Sequence, residues 1–82
     1  MKTRVLKWLA TQEVFTYKTS DRYRSGIPDL LILKNGLLIA IELKSSTGRV
    51  SKIQEYTLNQ LSMHGAKIGV CRSLEEVKCM LS

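Results

Sequence analysis

The sequence predicts an α/β fold of element order α-β-β-β-α-β-α, with a mixed four-stranded sheet flanked by helices on both faces. Three observations predict it. Asn35-Gly36 stands between two apolar runs, and both positions of a tight hairpin turn need positive φ. The stretch from 37 to 71 reads strand, helix, strand, and such a unit joins parallel strands by a right-handed crossover. Helix-start signals at Ser51 and Ser73 open two periodic segments on either side of the last strand.

The elements follow in order. Residues 2–12 are predicted helical, with Val5, Trp8, Leu9 and Gln12 at helical spacing and Lys2, Arg4, Lys7 and Thr11 on the other face. Val14 to Lys18 is β-rich and alternates, so it reads as a strand. Residues 19–27 are a polar loop ending near Gly26. Pro28 to Lys34 and Leu37 to Lys44 are the two arms of the hairpin. Positions Leu30 to Leu33 and Leu37 to Ile41 are all apolar, which predicts that both sides of the hairpin are covered. Residues 45–50 form a loop, and a helix runs from about Lys52 to His64 with Ser51 as N-cap and Gly65 as stop. Its inner face is expected to carry Ile53, Thr57, Leu58 and Leu61. Lys67 to Cys71 is a short strand. Ser73-Leu74-Glu75-Glu76 matches a capping box and opens the last helix.

The chain of 82 residues is expected to form a single domain spanning 1–82. A core this small is marginal, and oligomerisation is one ordinary remedy. No apolar run approaches the roughly 20 residues that cross a membrane. The start, Met1-Lys2-Thr3-Arg4, lacks the apolar stretch of a signal peptide, so a cytoplasmic location is expected. Cys71 and Cys79 suit that compartment, show no metal-site spacing, and are read as small core residues. A net charge of +6 and a pI near 9.6 suit nucleic acid or an anionic surface, and no basic amphipathic helix argues for the membrane option.

The hairpin makes a geometric prediction. With a two-residue turn, Lys34 pairs with Leu37, and counting back places Asp29 opposite Glu42. That pair should be non-hydrogen-bonded, with Cα atoms about 4.5 Å apart. Lys44, two residues beyond Glu42, projects from the same face. Opposed carboxylates repel, and beside apolar Leu31 and Ala40 each unpaired charge is costly. A divalent cation would offset both penalties, and hard oxygen ligands without His or Cys favour Mg²⁺ or Mn²⁺. Asp29 and Glu42 are therefore the expected metal ligands, with the Leu43 carbonyl as a further one. Lys44 would orient or deprotonate a water, or stabilise charge on a phosphorane-like transition state. The plain alternative is a surface ion pair beside a strand-starting Asp. Gln54 lies on the core-facing arc and needs a partner. It is either the acceptor of a capping box with Ser51 or a partner of the metal water or Lys44.

These residues carry a resemblance. Gly26-Ile27-Pro28-Asp29 followed by Ile41-Glu42-Leu43-Lys44 resembles the PD-(D/E)xK nucleases. With Gly48, Ser51, Gln54, Gly65 and Ser73-Leu74-Glu75-Glu76 the pattern resembles the virus-type replication-repair branch, VRR-NUC, over nearly the whole chain. The resemblance implies a restriction-endonuclease-like core and Mg²⁺- or Mn²⁺-dependent cleavage of structured DNA. It carries Asp29, Glu42, Lys44 and Gln54 to catalysis. It further implies likeness to short, phage-encoded, dimeric enzymes acting on branched DNA, which would place the protein in a host cytoplasm. In one respect the chain departs from the family. Members often have a Glu near the start of the first helix, whereas here the stretch is Met1-Lys2-Thr3-Arg4-Val5.

Lys18, Arg22, Arg24, Arg49 and Lys52 fall in or beside the loops next to this constellation and are the expected phosphate contacts, the alternative being solvated loop charge. Trp8, Phe15 and Tyr17 are read as core rather than base-stacking platforms. His64 is expected to be exposed at a helix end, with no catalytic role. The leading function is a structure-selective DNA endonuclease acting as a homodimer, four-way junctions being the preferred substrate. A nucleic-acid-binding module of the same fold without turnover is the alternative, and a structural domain with an ion-pair cluster is a third.

Overall fold

Asn35 (φ 52°) and Gly36 (φ 81°) both adopt positive φ, closing the hairpin as a two-residue turn. The computed structural model describes residues 2–19 and 26–82. In chain order the elements are α1 (Lys2–Leu9), β1 (Phe15–Lys18), β2 (Leu30–Lys34), β3 (Leu37–Leu43), α2 (Lys52–Met63), β4 (Lys67–Cys71) and α3 (Leu74–Leu81). The four strands form one sheet in the order β1-β2-β3-β4, antiparallel except for the parallel pair β3–β4. The predicted α/β class, element order and mixed sheet are thus those observed.

The register between β2 and β3 is the one the turn dictates, running from Lys34–Leu37 to Leu30–Ile41. Leu30, Ile32, Ile39, Ile41 and Cys71 share one face and pack with Val5 and Leu9 of α1 and Val77 and Leu81 of α3. Helix α2 lies on the opposite face, where Gln54 reaches Glu42 and Leu58 is buried. This second face is covered only in part. Phe15, Tyr17 and Leu33 are 66%, 56% and 47% exposed, because α2 packs toward β4 and leaves the β1–β2 half open. The expectation that both sides of the hairpin are covered is therefore corrected, as is the placing of Phe15 and Tyr17 in the core. Ile53, expected on the inner face of α2, is also exposed.

Several boundaries differ for local reasons. Helix α1 stops at Leu9 rather than 12, because Thr11 and Gln12 donate to the carbonyls of Trp8 and Leu9 three residues back and the Thr11 hydroxyl also binds Trp8. Trp8 is half-buried, with the Lys78 ammonium 5.7 Å from its ring centroid. Strand β2 begins at Leu30 rather than Pro28, since proline has no N–H to give to the ladder. Cys79 is exposed, so only Cys71 is a core cysteine. The capping box at Ser51 is complete. At Ser73 it is modified: the Ser73 hydroxyl accepts the Glu76 N–H, but the Glu76 carboxylate takes the N–H of Arg72 instead of Ser73.

Candidate active site

The start of β2 and the ends of β3 and β4 meet the start of α2, and the predicted chemical residues gather there. Pro28 decides the local geometry. By the hairpin register it stands opposite Leu43, yet it cannot donate to the Leu43 carbonyl. The Leu43 N–H is taken instead by Asp29 Oδ2 at 2.8 Å. By the same register Asp29 stands opposite Glu42 in a non-hydrogen-bonded position, its backbone facing β1. Its side chain crosses to β3, while its carbonyl accepts from the Thr19 N–H at 3.0 Å. The consequence for Leu43 is a carbonyl without a ladder donor from β2.

Gly26 sets the approach of this segment to α2. Its φ is +87°, and a Cβ there would lie 2.9 Å from both Ile53 Cγ1 and the Ile53 carbonyl and 3.0 Å from Thr57 Oγ1. Only glycine permits both the conformation and the contact. Helix α2 is thereby seated so that Gln54 faces the site.

Glu42 is the centre of the cluster and is only 3% exposed. Its Oε1 receives Gln54 Nε2 at 3.3 Å and stands 4.0 Å from Lys44 Nζ. Its Oε2 is buried with no hydrogen-bond partner among the described residues. Burial pushes the Glu42 carboxyl up to about 7, aided by the neighbouring Asp29 carboxylate, against the lowering pull of Lys44 and Lys2. Of the roles weighed for Gln54, the capping box with Ser51 is present through its oxygen, and its nitrogen serves Glu42 rather than Lys44.

Lys18 ends β1 beside this cluster, Lys52 opens α2 and Arg49 precedes it; all three are exposed at the same end of the sheet. Arg22 and Arg24 lie outside the described residues. Two residues were not singled out from sequence. Lys2, in the first turn of α1, places Nζ 3.9 Å from Asp29 Oδ1. Arg72, directly after β4, binds the loop that follows Lys44. Nothing local in the sequence marks Lys2, whose position depends on how α1 docks. Arg72 could have been found from the parallel register of β3 and β4, which sets Cys71 beside Leu43. Among the described residues no group of three or more His, Cys, Asp or Glu side chains comes together.

A family model described as the VRR-NUC domain matches residues 6–75, a span holding Asp29, Glu42, Lys44 and Gln54 but not Lys2. A solved structure described as "VRR_NUC domain" is similar over 98% of this chain and 88% of that one, with TM-score 0.80 and 23% sequence identity. At that identity the likeness concerns the fold. No curated protein matches the chain.

Proposed function

The chain belongs to the VRR-NUC family, a nuclease family, and on that premise we propose that it is a Mg²⁺- or Mn²⁺-dependent endonuclease hydrolysing phosphodiesters in branched DNA. The observation that carries the reading is the junction of Asp29, Glu42 and Lys44 at one end of the hairpin, with a buried Glu42 oxygen left without a partner among the described residues. A structural ion-pair cluster would satisfy that oxygen; a site built for a cation would not.

The donor set fits a hard divalent cation. Asp29, Glu42 and the Leu43 carbonyl would hold it, all three being oxygen donors where β2 begins and β3 ends. Such a cation supplies Lewis acidity toward a phosphodiester and lowers the pKa of a bound water. The rest falls to the chain itself. Gln54 fixes one Glu42 oxygen and leaves the other free to coordinate. Lys44 either exchanges a proton with the attacking water or stabilises the charge that builds on the phosphorus oxygens. Lys18, Arg49 and Lys52, with Arg22 and Arg24, would hold flanking phosphates and set the DNA across the site.

One observation favours the binding-module alternative. Among the described residues only two carboxylates meet here, and the Lys2 ammonium lies against one of them. The two readings separate in a cleavage assay on labelled duplex, flap, splayed-arm and four-way DNA with Mg²⁺, with Mn²⁺ and with chelator. Metal-dependent nicking that is lost in Glu42→Gln supports the nuclease. DNA binding with no cleavage of any substrate under either metal would establish the module instead.

A further inference from the structure

Arg72 has no part in the reading above, yet it makes the best-defined side-chain contacts near Lys44. Its Nη1 donates to the carbonyls of Ser45 and Gly48, each at 2.6 Å. Its own backbone N–H is held by the Glu76 carboxylate of α3. The guanidinium therefore links the end of β4 to a turn 24 to 27 residues away in sequence.

That turn begins immediately after Lys44. It is closed by the Gly48 N–H, which donates to the Ser45 carbonyl at 3.2 Å and to the Ser45 hydroxyl at 3.0 Å. It also folds back over the lysine, because a Cβ at Gly48 would stand 3.6 Å from Lys44 Cβ. The Lys44 N–H donates to the Cys71 carbonyl at 3.0 Å. Lys44 is thus fixed through its backbone by Cys71 and flanked along its stem by a turn that the next residue, Arg72, holds in place. Two carbonyl dipoles converging on one cation make charge-assisted bonds, about twice as strong as neutral ones. A short polar turn has little else to offset its ordering entropy.

We propose that Arg72 is a positioning residue for Lys44, bracing the Ser45–Gly48 turn so that the ammonium is held at the Glu42–Asp29 pair. The catalytic half of this proposal rests on the nuclease reading; the brace itself does not. Misplacement of a reacting group by about 1 Å costs on the order of 100-fold in rate, so partial loosening should register clearly.

The test uses the full chain with Arg72→Ala and Arg72→Lys, read in two ways. Backbone ¹⁵N relaxation follows the amides of residues 45–48 in the metal-free protein. Single-turnover cleavage with Mn²⁺ gives the rate, and DNA titration gives the affinity. Rigid amides, with order parameters of about 0.85, are expected in the wild type and values below about 0.6 in Arg72→Ala. The cleavage rate should fall about tenfold or more, while DNA affinity changes less than about threefold, a split that a general loss of folding would not produce. Arg72→Lys keeps the charge but loses the planar fork, and should resemble Ala. Unchanged order in Arg72→Ala overturns the brace. Full cleavage by either variant overturns the catalytic role. A wild-type chain that cuts no DNA would refute the nuclease reading and remove the catalytic half, leaving the relaxation data to decide the brace.

Discussion

Gln54 serves two elements at once: its amide oxygen accepts the Ser51 N–H at 2.9 Å and its amide nitrogen donates to Glu42 Oε1 at 3.3 Å. The residue that closes the first turn of α2 also orients the central carboxylate of the site. Gln54→Ala should therefore cost about 1 kcal/mol of stability through the cap and at least tenfold in cleavage through Glu42. Gln54→Glu separates the two, because a carboxylate still accepts the Ser51 N–H but has no donor for Glu42. It should keep the helix cap and lose cleavage. Wild-type turnover in Gln54→Ala would remove Gln54 from the site.

Glu42 gives a pH dependence of definite sign. Burial pushes its carboxyl up to about 7 in the folded chain from an ordinary value of 4.5. Between those values the folded state binds more protons than the unfolded, so metal-free stability should fall as pH rises through that window and level off above about 7. Divalent cation binding must displace the proton, so affinity should climb with pH over the same range. Glu42→Gln should be more stable than wild type at pH 8, lose this slope and lose cleavage, while DNA affinity stays within about threefold. Thermal melts from pH 4.5 to 8.5 of both proteins provide the check. A wild-type Tm that rises across that range would contradict the assignment.

How much of this was legible beforehand can be traced to particular residues. Asn35-Gly36 determines the β2–β3 register, because only one pairing follows from a two-residue turn. That register brings Asp29 and Glu42 to the same end of the sheet, and a two-residue step adds Lys44. The bond from the Leu43 N–H to the Asp29 side chain is not legible in that count, which carries a regular ladder through Pro28. Lys2 and Arg72 act through tertiary contacts across 24 or more residues, beyond the reach of helical or strand periodicity. The exposure of Phe15, Tyr17 and Leu33 escaped for a related reason: an apolar strand reads the same whether a helix or a partner chain covers it.

Lys44 should prove a rate residue. Its Nζ is 4.0 Å from Glu42 Oε1, and one ammonium is a small part of the electrostatics of a chain of net charge +6. Lys44→Ala is expected to lower single-turnover cleavage by about 100-fold or more and to alter DNA affinity by less than about threefold. Lys44→Arg discriminates between its two possible roles, since a guanidinium does not give up a proton near neutral pH. Failure of Lys44→Arg is expected for proton transfer. Substantial activity in that variant would leave charge stabilisation as the role.

Lys2 is placed to compete with a divalent cation for Asp29. The pair is partly exposed, so the bridge is worth well under about 1 kcal/mol to the fold. Its effect on metal binding is larger in proportion, because an ammonium 3.9 Å from Asp29 Oδ1 opposes a second positive charge at that oxygen. Lys2→Met should tighten Mn²⁺ binding by roughly threefold to tenfold at low salt and leave Tm within a few degrees. Isothermal titration of the metal alone measures this without reference to cleavage. Weaker Mn²⁺ binding in Lys2→Met would show that the lysine supports the site rather than opposing the metal.

The last prediction joins assembly to substrate. The open half of the sheet presents Phe15, Tyr17 and Leu33 beside β1, which is an edge strand among the described residues, and such a surface is normally covered. A two-fold dimer through this face is the simplest cover, and it would set two copies of the site in symmetric relation. One site cuts one strand per encounter, whereas paired sites match the near two-fold symmetry of a four-way junction. Two protomers of +6 also make a broad basic surface, so binding should weaken steeply with salt. Phe15→Glu combined with Leu33→Glu should yield a monomer by sedimentation at micromolar concentration. That monomer should retain its metal site by Mn²⁺ titration and lose its preference for junctions over simple flaps. A wild-type chain that sediments as a monomer and cuts a flap as fast as a junction would defeat the dimer and the junction preference together. The roles of Asp29, Glu42 and Lys44 would stand, since none of them depends on a second copy.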